Sequence, residues 1–227
     1  MKVLVSGGSK GIGLAIAKAF STLTSSVGIC ARGQAGIEAA LAAHPTLKGI
    51  AADASREEDC ARLVAWAGEA LGGIDVLVNN AGFFDQGGLV EQSPERFEFL
   101  ISANLRSAIH LTRAAIPMLS ASRHATIINI CSVASIKGYP TGVAYAVAKH
   151  GMLGLSRSLR EELKPRGIAV VALMPGATET DSWAGSGLPS ARFMQPDDVA
   201  QVAVLAHRLS RTAVLEEVVM RPFEGDI

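Results

Sequence analysis

The chain has 227 residues, of which 49% are hydrophobic, 19% charged and 5% aromatic, and its 21 basic and 21 acidic side chains give a formal net charge of +0. That length and apolar content suffice for one large core, and the charge balance lacks the basic bias that nucleic-acid binding requires. No apolar run approaches the roughly 18 residues needed to cross a bilayer.

The three cysteines, Cys30, Cys60 and Cys131, are odd in number and far apart. They lack metal-ligand spacing, so they read as reduced thiols of a cytoplasmic protein with no metal site. No basic and apolar leader precedes the first strand-like segment, and no repeat, low-complexity tract or linker divides the chain. It reads as one domain over residues 1–227.

Lys2 to Ser6 predicts a short buried strand. It runs into Ser6-Gly7-Gly8-Ser9-Lys10-Gly11-Ile12-Gly13, and Leu14 to Phe20 then carries apolar residues at helical spacing. In a strand, Gly-rich turn and helix, the glycines let the backbone approach a pyrophosphate at the positive helix end. The spacing of glycines 7, 11 and 13 is not that of the best-known dinucleotide fingerprint, but its place at the first strand–helix junction favours cofactor binding over a plain loop.

Val27 to Ala31 is a second strand, followed by Arg32. A carboxylate at this strand end suits a ribose 2′-hydroxyl, and an Arg suits a 2′-phosphate. With Lys10 in the glycine loop, two cations and no acid favour NADP(H). Leu47 to Ala52 is a third strand, and Asp53 at its end either accepts from an adenine amino group or serves the loop. Ser55-Arg56-Glu57-Glu58 has capping-box form and opens a helix to about Leu71.

Ile74 to Val78 is a fourth, almost wholly apolar strand, of the kind typical of parallel sheets covered on both faces, ending in Asn79-Asn80-Ala81-Gly82. Small and amide residues there permit close approach of a ligand or of neighbouring backbone. Ser93 and Pro94 start a long helix to about Met118. Asn104 lies inside it, and a mid-helix Asn on the inner face usually has a task.

Thr126 to Cys131 is a fifth strand with Ser132 at its end. An Ala-rich helix follows, reaching about Leu163 and carrying Tyr145 and Lys149 four residues apart on one face. An ammonium beside a phenol stabilises the phenolate, so such a Tyr can exchange a proton with an alcohol or carbonyl oxygen. Ile168 to Met174 is a sixth strand, closed by Pro175-Gly176. An irregular stretch with Thr178, Thr180 and Trp183 runs to about Met194, and a loop of this length is usually functional. Trp183, Phe193 and Met194 are candidates to line an apolar pocket. Pro196 opens a last helix over 197–209, and Val214 to Met220 is a seventh strand.

Strands alternate with helices almost throughout, which predicts a doubly wound parallel sheet with ligands at the carboxyl ends of its strands. The distinctive residues all fall at a strand end or in the helix that follows.

These motifs, in this order and over nearly the whole chain, resemble the short-chain dehydrogenase/reductase family in its compact single-domain branch. Ser6-Gly7-x-x-x-Gly11-Ile12-Gly13, Asp53, Asn79-Asn80-Ala81-Gly82, Asn104, Ser132, Tyr145-x-x-x-Lys149 and Pro175-Gly176 each match a family motif. The resemblance implies a Rossmann-type α/β fold, a mostly parallel seven-stranded sheet with helices on both faces.

It also implies roles. Tyr145 is the general acid/base, Ser132 holds the substrate oxygen, Lys149 binds the nicotinamide ribose, and Asn104 holds a water that relays protons from Lys149. Gly7, Ser9, Lys10, Gly11, Ile12, Gly13, Arg32, Asp53, Asn79, Ala81, Gly82, Pro175, Gly176, Thr178 and Thr180 join Tyr145 and Lys149 in holding NADP(H). Residues 177–195 form the substrate loop.

Four departures stand out. Ser6 replaces a Thr, Cys131 stands where a Ser is common, and Thr178 replaces a branched aliphatic. Residues 215–222 lack the family's usual C-terminal motif. The expected activity is NADPH-dependent reduction of a ketone or aldehyde, resembling 3-oxoacyl-carrier-protein reductases and 3-hydroxy-acid dehydrogenases. The expected partners are a small carbonyl or alcohol substrate, free or carrier-bound, and further copies of the chain in a homodimer or homotetramer. Neither nucleic acid nor membrane is expected. Arg123 and Arg166 are placed near the mouth, where they either meet an acidic carrier or stay solvated. A non-catalytic NADP-binding regulator, or a nucleotide-sugar epimerase or dehydratase, is the alternative.

Overall fold

Residues that are apolar at nearly every position make strands that need cover on both faces. A computed structural model describing residues 1–227 shows how the chain supplies it. The elements in order are β1 (Val3–Ser6), α1 (Gly11–Ser21), β2 (Val27–Ala31), α2 (Gln34–Ala43), β3 (Lys48–Ala51), α3 (Glu57–Leu71), β4 (Val76–Asn79), α4 (Pro94–Ile101), α5 (Ser107–Ser120), β5 (Ala125–Ile130), α6 (Val143–Leu163), β6 (Ile168–Pro175), α7 (Pro196–Arg208) and β7 (Glu217–Met220). The seven strands form one sheet in the order β3-β2-β1-β4-β5-β6-β7, with every neighbouring pair parallel.

The two-residue period of each strand divides the core. Val3 and Val5, Val76 and Val78, and Val171 and Leu173 join α1, α2 and α7 on one face. Leu4, Leu77, Ile127 and Val170 face α3, α5 and α6 on the other. The chain reverses its winding between β1 and β4, whose carboxyl ends therefore flank a crevice. No helix is long and apolar enough to cross a membrane.

Two local expectations change. The gap between Arg32 and Leu47 holds a helix, α2, that buries only Ile37 and Ala40. The capping box at Ser55 does not form: α3 begins after Arg56 with no side-chain cap, because Ser55 instead donates its hydroxyl and its N–H to Asp53 Oδ1. The helix from Pro94 does start at a Ser93 cap, with Ser93 Oγ accepting from the Arg96 N–H. It is interrupted by a π-helical turn over Ser102–Arg106 before continuing as α5.

At the amino ends of the strands, His207 of α7 is 7% exposed. It stacks on His124 at 4.6 Å, meets Phe20 edge-on at 6.3 Å and hydrogen-bonds Thr126 Oγ1 through Nδ1 at 2.9 Å. Burial, with the neighbouring His124 second, pushes its pKa down from 6.5 to about 4. The fold thus favours neutral His207. Its contribution to stability is complete above pH 6.5 and is lost as pH falls through about 4. By linkage that loss is roughly 3 kcal/mol, because each tenfold change in proton affinity is worth about 1.4 kcal/mol. Urea midpoints measured from pH 7 down to pH 4 are expected to fall along this limb, and His207→Gln to flatten it. A wild-type midpoint independent of pH would contradict the assignment.

Candidate active site

A cleft of about 980 Å³ opens at the carboxyl ends of the strands. One end is built by the glycine loop. Gly7 has φ +64°, a left-handed conformation that favours glycine, and a Cβ on Gly13 would run into the Gly7 carbonyl oxygen. The loop therefore folds tightly onto the first turn of α1. That turn has no side-chain cap and no acidic residue, so its N–H groups and positive dipole remain available to an anion. Ser6 fastens the loop to β4, donating to Val78 O and accepting from the N–H groups of Asn80 and Ala81.

Asn79 lies elsewhere than its motif suggested. It ends β4 with its side chain on the inner face, donating 2.8 Å bonds to Thr112 Oγ1 and Asn129 Oδ1, and is 2% exposed. The alternation of side chains along the strand gives the cleft to Asn80, which donates to the carbonyls of Ser6 and Gly7. Gly13 likewise acts beneath the surface, through close packing, and does not line the cleft.

Of the two cations, Arg32 forms no ion pair; its guanidinium lies 5.6 Å from the Phe99 ring centroid. The adjoining start of α2, after Gly33, has neither a side-chain cap nor an acid in its first turn. Lys10 is engaged, 2.7 Å from Asp181 across the cleft, in a pair exposed by more than two-thirds and so worth little. Asp53 faces the cleft with Oδ1 occupied by Ser55.

Three predicted residues meet at the other end. Ser132 Oγ accepts from the Ala134 N–H at 3.1 Å, capping the 3-10 turn over Val133–Ser135. That bond occupies a lone pair and leaves the hydroxyl proton free to donate. Lys149 is 4% exposed, and its Nζ donates to Ile130 O at 2.8 Å, one hydrogen bond for three donors. The same Nζ lies 5.6 Å from the Tyr145 ring centroid. Asn104 sits in the π-helical turn. Its amide nitrogen donates to Phe83 O and Leu100 O, and its Oδ1 accepts from the Phe83 N–H. The side chain thus ties down the loop after β4, spends both amide protons, and keeps one lone pair on Oδ1.

Thr178 is buried, donating to Gly176 O, and Thr180 packs its methyl group against Gly11. Trp183 lines the cleft, Phe193 braces it at 5.4 Å between ring centroids, and Met194 belongs to the core. Arg123 and Arg166 are not at the mouth. Each precedes a strand, β5 or β6, and therefore lies at the amino edge of the sheet, on the side opposite the cleft. Phe84 and Tyr139 line the cleft unforeseen. The signal for Phe84 was its place directly after Asn79-Asn80-Ala81-Gly82-Phe83 in a chain poor in aromatic residues. Tyr139 is a weaker acid than a free phenol, its pKa raised by burial and then by Asp226.

All three cysteines are free and buried. Burial pushes the Cys30 and Cys60 thiols up to about 12 and raises that of Cys131 as well. Since the thiolate is the nucleophile, alkylation at pH 8 is expected to label none of them in the folded protein and all three after denaturation. Rapid labelling of Cys30, which lines the cleft, would contradict this.

A glycine-loop cleft at the crevice of a parallel sheet, with Ser, Tyr and Lys side chains converging in it, defines the class of nucleotide-dependent oxidoreductases. The short-chain dehydrogenase family model matches residues 1–188, and the chain belongs to that family. It is 30% identical to the sepiapterin reductase of Chlorobaculum tepidum over 99% of this chain and 97% of that one. It is 34% identical to the 3-oxoacyl-acyl-carrier-protein reductase of Chlamydia pneumoniae over 92% and 90%. Its structure superposes on an alcohol dehydrogenase of the archaeon Thermococcus sibiricus, complexed with 5-hydroxy-NADP, with a TM-score of 0.88 at 27% identity, covering 98% and 97% of the two chains.

Proposed function

We propose that this protein reduces a ketone or aldehyde carbonyl with NADPH, using Tyr145 as the general acid. The observation that carries the reading is the convergence of a Ser132 hydroxyl with a free proton, Tyr145, and a buried, under-bonded Lys149 in the cleft that the glycine loop opens. Relatives named as reductases, and a structural neighbour holding an NADP derivative, support it.

NADPH, when bound, supplies the hydride; the chain supplies position and charge. The glycine loop and the free end of α1 receive the pyrophosphate, and unpaired Arg32 receives the 2′-phosphate. The two spare donors of Lys149 hold the ribose hydroxyls. Ser132 donates to the substrate oxygen and holds it beside Tyr145, which gives up its proton as negative charge develops there. The Lys149 ammonium stabilises the phenolate left behind. Asn104 acts as a positioning residue, fixing Phe83 and the loop around it. Residues 177–195 close the substrate side, and the whole chain serves as one catalytic domain.

A non-catalytic regulator would have no use for this set of side chains, and epimerase and dehydratase relatives usually carry a Gly-x-x-Gly-x-x-Gly loop where this chain has glycines at 7, 11 and 13. The test is NADPH oxidation with a panel of ketones and aldehydes. Turnover of at least one is expected, and NADPH binding without turnover of any would overturn the reading.

A further inference from the structure

Eleven residues of this chain are aromatic: seven Phe, two Trp and two Tyr. Six of them line the one cleft: Phe83, Phe84, Phe99, Tyr139, Tyr145 and Trp183. Two come from opposite walls. Phe84 lies in the loop after β4 and Trp183 in the loop after β6. Their rings stack with centroids 6.0 Å apart and 24° between planes, and Phe84 meets the Tyr145 ring edge-on at 5.2 Å. Phe193, 9% exposed, supports Trp183 from behind. The Tyr145 ring is therefore flanked by an aromatic wall.

The exposed cations on this side of the cleft each have a carboxylate within reach. Lys137 and Arg221 both pair with Asp226 at the mouth, Lys10 with Asp181, and Arg96 with Asp85 while lying over the rings of Phe83 and Phe99. Apart from Lys149, whose spare donors are assigned to the cofactor ribose, no cation on this side of the cleft lacks a carboxylate partner for a charged substrate to meet. The one free guanidinium, Arg32, sits at the end of β2 on the cofactor side.

We propose that the substrate is a neutral carbonyl compound bearing a flat aromatic ring, and that Trp183 and Phe84 select it. This rests on the reductase reading above. A substrate ring that enters between Phe84 and Trp183, next to Tyr145, parts their stack. An aromatic ring replaces the stacking contact it breaks, whereas a saturated ring or alkyl chain of equal size buries similar area without an aromatic face to offer. The selection is therefore for aromaticity at constant size.

The test compares benzylacetone with its ring-hydrogenated counterpart. In both, the carbonyl is insulated from the ring by two methylenes, so the intrinsic reactivity towards hydride is the same. Wild-type enzyme is expected to favour the aromatic ketone by about tenfold in kcat/KM. Trp183→Leu is expected to bring the ratio to within about threefold of one, and Trp183→Phe to preserve it. Benzylacetone is also expected to quench the fluorescence of wild type but not of Trp183→Phe, in which Trp66 remains as the background emitter. Equal use of the two ketones by wild type, or an aromatic preference that survives Trp183→Leu, would overturn the inference while leaving the reductase reading intact. Failure of wild type to reduce any carbonyl compound would overturn both.

Discussion

Tyr145→Phe is expected to lower kcat by about a thousandfold while leaving NADPH affinity within about threefold of wild type. The substitution removes one hydroxyl and keeps the ring, so the edge contact with Phe84 and the packing on α6 persist. What disappears is the proton for the developing alkoxide. Ser132 can still donate a hydrogen bond to that oxygen, and Lys149 can still attract its charge, so a residual rate remains. Steady-state kinetics with any accepted ketone, alongside cofactor titration by fluorescence, separate the two effects. Turnover unchanged by Tyr145→Phe would sink the mechanism. Loss of cofactor binding instead would make Tyr145 a binding residue.

Arg32→Ala is expected to weaken NADPH binding by about a hundredfold and NADH binding by less than about threefold. A charge-assisted hydrogen bond to an ionised group contributes about 1.5–3 kcal/mol, and a guanidinium can engage a phosphate at two points. Arg32 carries no carboxylate partner that would have to be surrendered first. Its aromatic neighbour is Phe99, at 5.6 Å. Lys10 differs, since its ammonium already holds Asp181. Lys10→Ala should therefore cost less than Arg32→Ala. Dissociation constants for both cofactors, for both variants, decide the matter. Equal losses of NADPH and NADH on Arg32→Ala would identify the residue as structural.

Much of the architecture was legible because buried parallel strands are written as unbroken apolar runs. Val27 to Ala31 is the clearest case: its expected and observed limits coincide. Helix α2 escaped notice because its Ala-rich sequence buries only two residues and shows little contrast between faces. Ser55 misled because a capping box and a turn around Asp53 use the same side-chain types, and only the fold decides which bond forms. Asn79 and Asn80 could be located together but not told apart, since which of two successive residues faces a ligand depends on the register of the strand. Arg123 and Arg166 were misplaced because helix-to-strand loops lie at the edge opposite the strand-to-helix loops. The Phe84–Trp183 stack joins residues 99 positions apart on two irregular loops, and no periodicity announces such a meeting.

The π-helical turn at Ser102–Arg106 has a bearing on how the length of this chain can vary. There the Ser107 N–H bonds back five residues to Ser102 O, so the rod from Pro94 to Ser120 carries one residue more than a regular helix would. Deleting a single residue from the turn would let the helix close into a regular spiral with its two halves in nearly the same rotational register, because the five steps of the wide turn sweep about the same angle as four steps of an α-helix, roughly 400°. Leu111, Ala115 and Leu119 would keep their places against the sheet, and the change would fall on Asn104, inside the turn, and on the loop it holds, which carries Phe83 and Phe84. A surface loop tolerates the loss or gain of a residue as a local edit. Here a helix packed against the core has one point at which it can absorb such an edit, and a one-residue deletion at the turn is expected to spare the core and disturb the cleft.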